Sequence, residues 1–124
     1  MSGYVIANID VKNPEAYKEY VGKVVPTVQK FGGEYLVRAG EYKVIDGEWK
    51  YPRTVVIKFP TYEKALEWYD SEEYKPVKPI RLANSVANAI IITGVYKHDR
   101  QIWTRILLKH LPFPYTHLTL PPKV

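Results

Sequence analysis

The order of the patterned segments along this chain constrains its fold more than any single motif does. Residues 4–11 carry an apolar side chain at every second position, which predicts a strand with one purely apolar face. Residues 35–38 and 41–45 are rich in β-branched and aromatic side chains and predict one bent strand or two short ones, and residues 53–59 predict another strand. Residues 87–95 are apolar on both faces, which predicts a strand covered on both sides.

The segment after the first strand predicts a helix. Asn13 suits the N-cap and Pro14 the first helical position, and Gly32-Gly33 predicts the end of the helix. Pro26 lies inside this helix, where it removes a backbone hydrogen bond, so we expect a kink near Val24. The predicted apolar stripe consists of Tyr17, Val21, Val24, Val28 and Phe31.

A second helix is predicted after Thr61, whose hydroxyl suits the N-cap position. Ser71 predicts a further cap, but Pro76 and Pro79 limit the stretch up to Asn84 to a pair of short helical turns. The predicted apolar stripe of the second helix consists of Tyr62, Ala65, Leu66 and Tyr69.

The resulting strand–helix–strand–strand–helix–strand order, with an antiparallel sheet, is that of the ferredoxin-like α+β fold. Two helices cover only one face of such a sheet. On the other face, Ile6, Leu36, Val56 and Ile90 would be left in contact with solvent. We therefore expect two copies of the chain to pack sheet against sheet as a homodimer, which gives a dimeric α+β barrel.

The net charge of +5 is distributed unevenly along the 124 residues. Up to Val95 there are 13 Lys and Arg against 12 Asp and Glu, whereas the rest of the chain holds five Lys and Arg against Asp99 alone. The near-neutral balance of the first part argues against nucleic-acid binding. The chain shows neither a signal-peptide pattern nor an apolar run of roughly 18 residues, so we expect a cytoplasmic protein that does not enter the membrane.

The residue types that are missing limit the chemistry further. Residues 2–95 contain no His, Cys or Met, which argues against a zinc site and against haem. The chain also lacks the glycine-rich loops of nucleotide-binding proteins and the nucleophile motif of hydrolases. We therefore expect no metal and no cofactor.

Five strings follow one another along the chain: NPEAY at 13–17, GEYLVRAG at 33–40, DGEW at 46–49, PRTVVIKFP at 52–60 and SEEYKPVKPIR at 71–81. Together they resemble the DUF1330 family of the dimeric α+β barrel superfamily, over residues 3–95. The resemblance implies the fold and a homodimer, but it supplies no reaction, because none is assigned to the family. Glu72 stands where these sequences often have proline, a departure that affects only a helix cap.

The C-terminal segment is unlike that family. We divide the chain into a domain at 1–96 and a tail at 97–124 that is either non-native or disordered, because residues 115–121 resemble translated sequencing-adaptor sequence. The alternative is a native arm with a short amphipathic helix. Its apolar residues would be Ile102, Trp103, Ile106, Leu107 and Leu108.

Arg38 and Asp10 are the catalytic candidates. Arg38 interrupts an otherwise apolar strand, where its guanidinium needs an anionic partner. That partner would be the carboxylate or enolate of a ligand. The alternative is a structural ion pair with Glu41, Glu48 or a carboxylate of a second subunit. Asp10 is the only carboxylate on the first strand and would act as a general base if it were buried near Arg38, although an aspartate at a strand end is more often solvated.

Tyr20, Trp49, Arg53, Tyr74 and Arg81 are the ligand-binding candidates. Tyr20 and Tyr74 lie off the main apolar stripes, so that their hydroxyls would be free to orient a ligand in an apolar cavity. Arg81 follows a helical turn that would lean over such a cavity, whereas Arg53 begins a strand and is the weaker candidate. Tyr17, Trp68 and Tyr69 belong with these aromatic residues to a set that could line the cavity. For Tyr17 and Tyr69 the core interpretation is favoured, because aromatic side chains at helical spacing are more often core than ligand-binding.

The apolar sheet face predicts a homodimer, and the candidate site residues predict that it binds a small apolar or aromatic carboxylate. If it is catalytic, the fold suggests a cofactor-free enzyme of the monooxygenase or isomerase type, an analogy at the level of the fold alone. The alternative is a non-catalytic binding or interaction module whose barrel is filled by its own side chains.

Overall fold

The alternating N-terminal segment forms the strand on which the rest of the sheet is built. In the computed structural model, which describes residues 1–95, this strand is β1 (Gly3–Val11). It pairs in antiparallel fashion with β3 (Arg53–Phe59) on one side and β4 (Ser85–Thr93) on the other. Strand β2 (Glu34–Arg38) pairs with β3 and completes the order β2-β3-β1-β4. This topology confirms the predicted ferredoxin-like fold.

The first two helices begin directly after the residues predicted as their N-caps. Helix α1 (Pro14–Lys30) starts after Asn13, whose Oδ1 accepts a hydrogen bond of 3.3 Å from the Ala16 amide. Helix α2 (Tyr62–Tyr69) starts after Thr61, whose hydroxyl accepts one of 3.0 Å from the Lys64 amide. A third helix, α3 (Lys78–Asn84), replaces part of the predicted pair of short turns.

Two details of the helices differ from the prediction. Helix α1, which contains Pro26 as predicted, buries Tyr20 as well as Tyr17, so Tyr20 belongs to the core stripe. Helix α2 buries Ala65 and Trp68 and leaves the predicted core residue Leu66 40% exposed. The reason is Trp68, whose ring packs 5.4 Å from that of Phe59 and whose indole N–H donates to the Thr27 hydroxyl at 3.0 Å. This contact sets the rotation of α2 about its axis.

The predicted strand at residues 41–45 is wrong. The chain leaves the sheet at Ala39, which has a positive φ of 56°, and residues 41–50 are exposed and have no regular structure. The loop is held at its far end, where the Asn8 side chain donates to the Tyr51 carbonyl at 2.6 Å and accepts from its amide at 3.1 Å. Strand β2 pairs only with β3, and β3 begins at Arg53, so residues 41–45 have no strand beside them within residues 1–95.

The core lies between the inner face of the sheet and the helices. Its largest fully buried side chains are those of Val28, Phe59 and Tyr74. Close packing of β1 against α2 depends on Gly3, because a Cβ atom there would lie 2.5 Å from the Tyr62 Cα. The sheet and helices are therefore in direct backbone contact at this end.

The outer face of the sheet is not covered by the helices within residues 1–95 and has an apolar row across its middle. Val37, Val56, Ile6 and Ile90 lie side by side in one row across all four strands. Ile90 is 53% exposed, so the expectation that β4 is covered on both sides does not hold within residues 1–95. Across these residues no helix is long and apolar enough to span a bilayer. The predicted tail, residues 97–124, lies outside the described residues.

Candidate functional site

A cavity of about 60 Å³ lies between the inner face of the sheet and the helices. Its lining combines apolar strand residues such as Val5, Val55 and Ile57 with two further sets of side chains. The first group is aromatic: Tyr17, Tyr20, Tyr35, Trp68, Tyr69 and Tyr74. The second group consists of Arg38, Arg53 and Arg81. In the described part of the chain, no Asp or Glu lines this cavity.

Arg81 is the most deeply buried of the three arginines, at 9% exposure. Helix α3 carries it over the cavity, where its Nε donates to the Tyr74 hydroxyl at 3.3 Å and one of its Nη atoms donates to the Tyr69 hydroxyl at 3.4 Å. Burial lowers the pKa of the guanidinium, but Tyr74, Tyr20 and Tyr69 raise it by more, so the net shift of its pKa is upward. Arg81 is therefore a permanent cation in a nearly dry position.

Arg53 and Arg38 approach the same cavity from the sheet. The Arg53 guanidinium lies 5.7 Å from the centre of the Tyr17 ring, and its buried Nε has no hydrogen-bond partner among residues 1–95. Arg38 is exposed and lies 4.8 Å from the centre of the Tyr35 ring. The ion pairs found within residues 1–95 all use lysine, so the predicted pairing of Arg38 with Glu41 or Glu48 is not among them.

The tyrosines around the arginines are hydrogen-bond donors rather than bases. The Tyr20 and Tyr74 hydroxyl oxygens lie 2.9 Å apart. Burial is the main cause that raises the pKa of Tyr17, Tyr20 and Tyr35 above the usual tyrosine value. Each of these three side chains therefore keeps its proton at neutral pH, and the cavity presents positive charge and O–H groups to anything that enters it.

Five predicted site residues converge on this one cavity. They are Arg38, Tyr20, Arg53, Tyr74 and Arg81. Asp10 and Trp49 do not join them. Asp10 pairs with Lys12 at 2.7 Å, and the alternation along β1 places it on the face opposite the cavity. Trp49 lies in the exposed loop, where its indole N–H donates to Thr54 at 3.2 Å.

Sequence reasoning missed Tyr35 as a lining residue, whereas Tyr17, Trp68 and Tyr69 belong to the aromatic set that it offered as a cavity lining. Tyr35 and Arg38 are three positions apart, a spacing that places residues of a regular strand on opposite faces. A β-bulge between Tyr35 and Val37 restores both to the inner face, where they pair with Ile57 and Val55. No local sequence signal identifies this bulge. Tyr17 and Tyr69 were interpreted as core, and they line the cavity as well as the core.

A metal site needs several ligating side chains at one point. Within the part of the chain that the structure describes, no three His, Cys, Asp or Glu side chains gather in this way. The ionisable side chains that line the candidate site are those of arginine and tyrosine.

A family model described as "Domain of unknown function (DUF1330)" matches residues 2–95. No protein of curated function matches the chain in sequence. The family match covers every residue named above as lining the cavity.

Solved structures share the fold at low sequence identity. A protein of unknown function from Rhodopseudomonas palustris, RPA0582, has a TM-score of 0.64 and 13% identity, over 76% of this chain and 82% of that one. A hypothetical Arabidopsis thaliana protein, AT3G17210, has a TM-score of 0.56 and 12% identity, over 75% and 88%. SnoaB, a cofactor-independent oxygenase from Streptomyces nogalater, has a TM-score of 0.50 and 9% identity, over 78% and 96%. These likenesses show the fold alone.

The buried tyrosines predict a loss of stability at alkaline pH. Because the folded state holds their protons more tightly than the unfolded chain does, their contribution is complete below the ordinary pKa of 10.0 and is lost as the pH rises beyond it. In urea unfolding followed by tryptophan fluorescence from about pH 9 to 11, Tyr20→Phe should lose less free energy of unfolding than the wild type. Val28→Ala, a core variant without a titrating group, should follow the wild-type slope. Equal slopes for Tyr20→Phe and the wild type would contradict the prediction.

Proposed function

This chain belongs to the DUF1330 family, and we propose that it is a binding protein for a small organic anion, a carboxylate with a short apolar body. The observation that carries the proposal is the charge of the cavity. Arg38, Arg53 and Arg81 line it, and no carboxylate of residues 1–95 lines it with them. A buried guanidinium without an anionic partner is costly, because it has lost water and gained no counter-charge. A ligand carboxylate supplies that charge and accepts paired N–H donors from arginine.

The size and lining of the cavity limit the rest of the ligand. A volume of about 60 Å³ holds only a few water-sized groups, and pockets for drug-sized ligands are several times larger. The strand residues Val5, Val55 and Ile57 offer the ligand an apolar wall. A short-chain carboxylic acid, with its carboxylate toward the arginines and its carbon chain on the sheet, fits both the volume and the polarity.

Binding fits the geometry better than catalysis does. A reaction of the monooxygenase or isomerase type moves a proton, and that step needs a base. Asp10, the base suggested by the sequence, is on the other face of the sheet, and the buried tyrosines hold their protons at neutral pH. The cofactor-independent activity of SnoaB belongs to a protein 9% identical to this one and supplies no residue roles here. The open cavity also argues against an interior filled by its own side chains.

The proposal predicts that binding depends on ligand charge and on Arg53. In calorimetric titration, propionate should bind and propionamide, which has the same shape without the charge, should not. Arg53→Met should weaken propionate binding by about tenfold or more, because it removes a charge-assisted contact while keeping most of the side-chain volume. Lys43→Met makes the same charge change in the exposed loop and should bind as the wild type does. Equal binding of acid and amide, or by Arg53→Met and wild type, would contradict the proposal.

We also propose that the functional unit is a homodimer formed through the outer face of the sheet. The row Val37, Val56, Ile6 and Ile90 crosses all four strands without a charged residue, while Asp10, Lys58 and Glu34 lie toward the ends of the same face, so a second copy can pack on the row itself. Two identical apolar faces related by a two-fold axis are self-complementary in composition. The Asn8 amide, which lies on the same face, is already hydrogen-bonded to Tyr51 and adds little desolvation cost.

The dimer proposal predicts that one charge on this face separates the subunits. The wild-type chain should sediment as a dimer in analytical ultracentrifugation at micromolar concentration, and Ile90→Lys should sediment as a monomer with its helical circular dichroism retained. Leu82→Lys places the same charge on α3, at a position that is 59% exposed and away from the sheet, and should leave the dimer intact. A monomeric wild type, or dimeric Ile90→Lys, would overturn the proposal.

A further inference from the structure

The buried end of the cavity contains a hydrogen-bonded chain of three side chains. Arg81 donates from Nε to the Tyr74 hydroxyl at 3.3 Å, and the Tyr74 and Tyr20 hydroxyl oxygens are 2.9 Å apart. All three side chains are nearly dry, with exposures of 9% for Arg81, 1% for Tyr74 and 8% for Tyr20. Bulk solvent therefore reaches these groups poorly, and an acceptor for their protons would have to lie in the cavity.

The hydrogen-bonded series Arg81–Tyr74–Tyr20 has one more hydroxyl donor than it has acceptors. A guanidinium has N–H groups only, so the Tyr74 oxygen must be the acceptor from Arg81. The contact between the two hydroxyls uses one proton, whichever tyrosine donates it. Two hydroxyls carry two protons, so one O–H is left without an acceptor among residues 1–95. The same result holds for either direction of the Tyr20–Tyr74 hydrogen bond.

A pair of tyrosines kept only for packing would not need this arrangement. A buried donor without an acceptor destabilises the fold, and phenylalanine at one of the two positions would remove the surplus O–H while filling nearly the same volume. Both residues line the same cavity as Arg53, whose Nε also lacks a partner within residues 1–95. The surplus tyrosine O–H and the Arg53 Nε–H are therefore both donors that a ligand oxygen could pair with.

We infer that the Arg81–Tyr74–Tyr20 chain is an oxyanion subsite that gives its surplus tyrosine O–H to one oxygen of the bound carboxylate. The inference rests on the proposed function and adds the basis of its selectivity. An ionised carboxylate oxygen only accepts, so it matches a subsite that only donates. The NH₂ group of an amide and the O–H of a protonated acid bring a further donor that has no acceptor there. Arg81 acts as a positioning residue, because it occupies the Tyr74 oxygen and so directs the hydroxyl protons.

The inference is tested with the full chain, propionate as the probe and two readouts. In wild-type protein in water at low temperature, propionate should produce a new low-field hydroxyl proton signal with a nuclear Overhauser effect to the ring protons of Tyr20 or Tyr74. The double variant Tyr20→Phe/Tyr74→Phe should lack this signal and bind propionate about tenfold or more weakly in calorimetry. Tyr42→Phe, which removes a hydroxyl from the exposed loop, should show both the signal and the wild-type affinity.

The outcomes separate the two proposals. Propionate that binds wild type and the double variant equally, with no new hydroxyl signal, would overturn the oxyanion subsite and leave the anion-binding function standing. No binding of propionate by wild type would overturn both. If the double variant does not fold, the hydroxyl signal in the wild type decides alone: its presence with the stated Overhauser contacts supports the subsite, and binding without it rejects the subsite.

Discussion

The burial of Arg81 and of the Arg53 Nε with no carboxylate of residues 1–95 beside them is the constraint on which the candidate site depends. Arg81 is almost fully buried and Arg53 has a buried Nε without a partner in residues 1–95, yet both are held by aromatic side chains and not by an acid. In a protein kept only for its fold, apolar residues at these positions would cost less. The arrangement is explained if the missing negative charge arrives with a ligand.

The fold delivers this arrangement from three separate elements. Arg53 begins β3 in the middle of the sheet, Arg38 ends β2 at its edge, and α3 brings Arg81 from the helical layer. The helices cover the face of the sheet that carries the cavity, and the uncovered face has an apolar row across its middle. One sheet therefore carries both the proposed binding site and the proposed contact between subunits.

Local chemistry in the sequence was enough to predict the order of the four strands and the two longer helices along the chain and the starts of α1 and α2. The caps at Asn13 and Thr61 form as expected, because a capping side chain interacts with residues only a few positions away. The buried face of α2 and the strand face of Arg38 could not be predicted in this way, because they depend on contacts between residues far apart in the sequence. Trp68 sets the rotation of α2 through Phe59 and Thr27, and the bulge after Tyr35 brings Arg38 to the inner face. The alternation of β1 alone puts Asp10 on the face opposite the apolar row, and the structure places the cavity on the apolar row, with Val5 in its lining.

The most direct test of the account is the stability of Arg53→Met in the absence of any organic anion. If Arg53 is retained for a ligand, replacing this half-buried side chain and its unpaired buried Nε by an apolar side chain of similar length should leave the free energy of unfolding in urea unchanged or raise it. A loss of about 3 kcal/mol or more, the effect expected when a buried charge pair is broken, would contradict the account. It would show that Arg53 already has its partner within the protein.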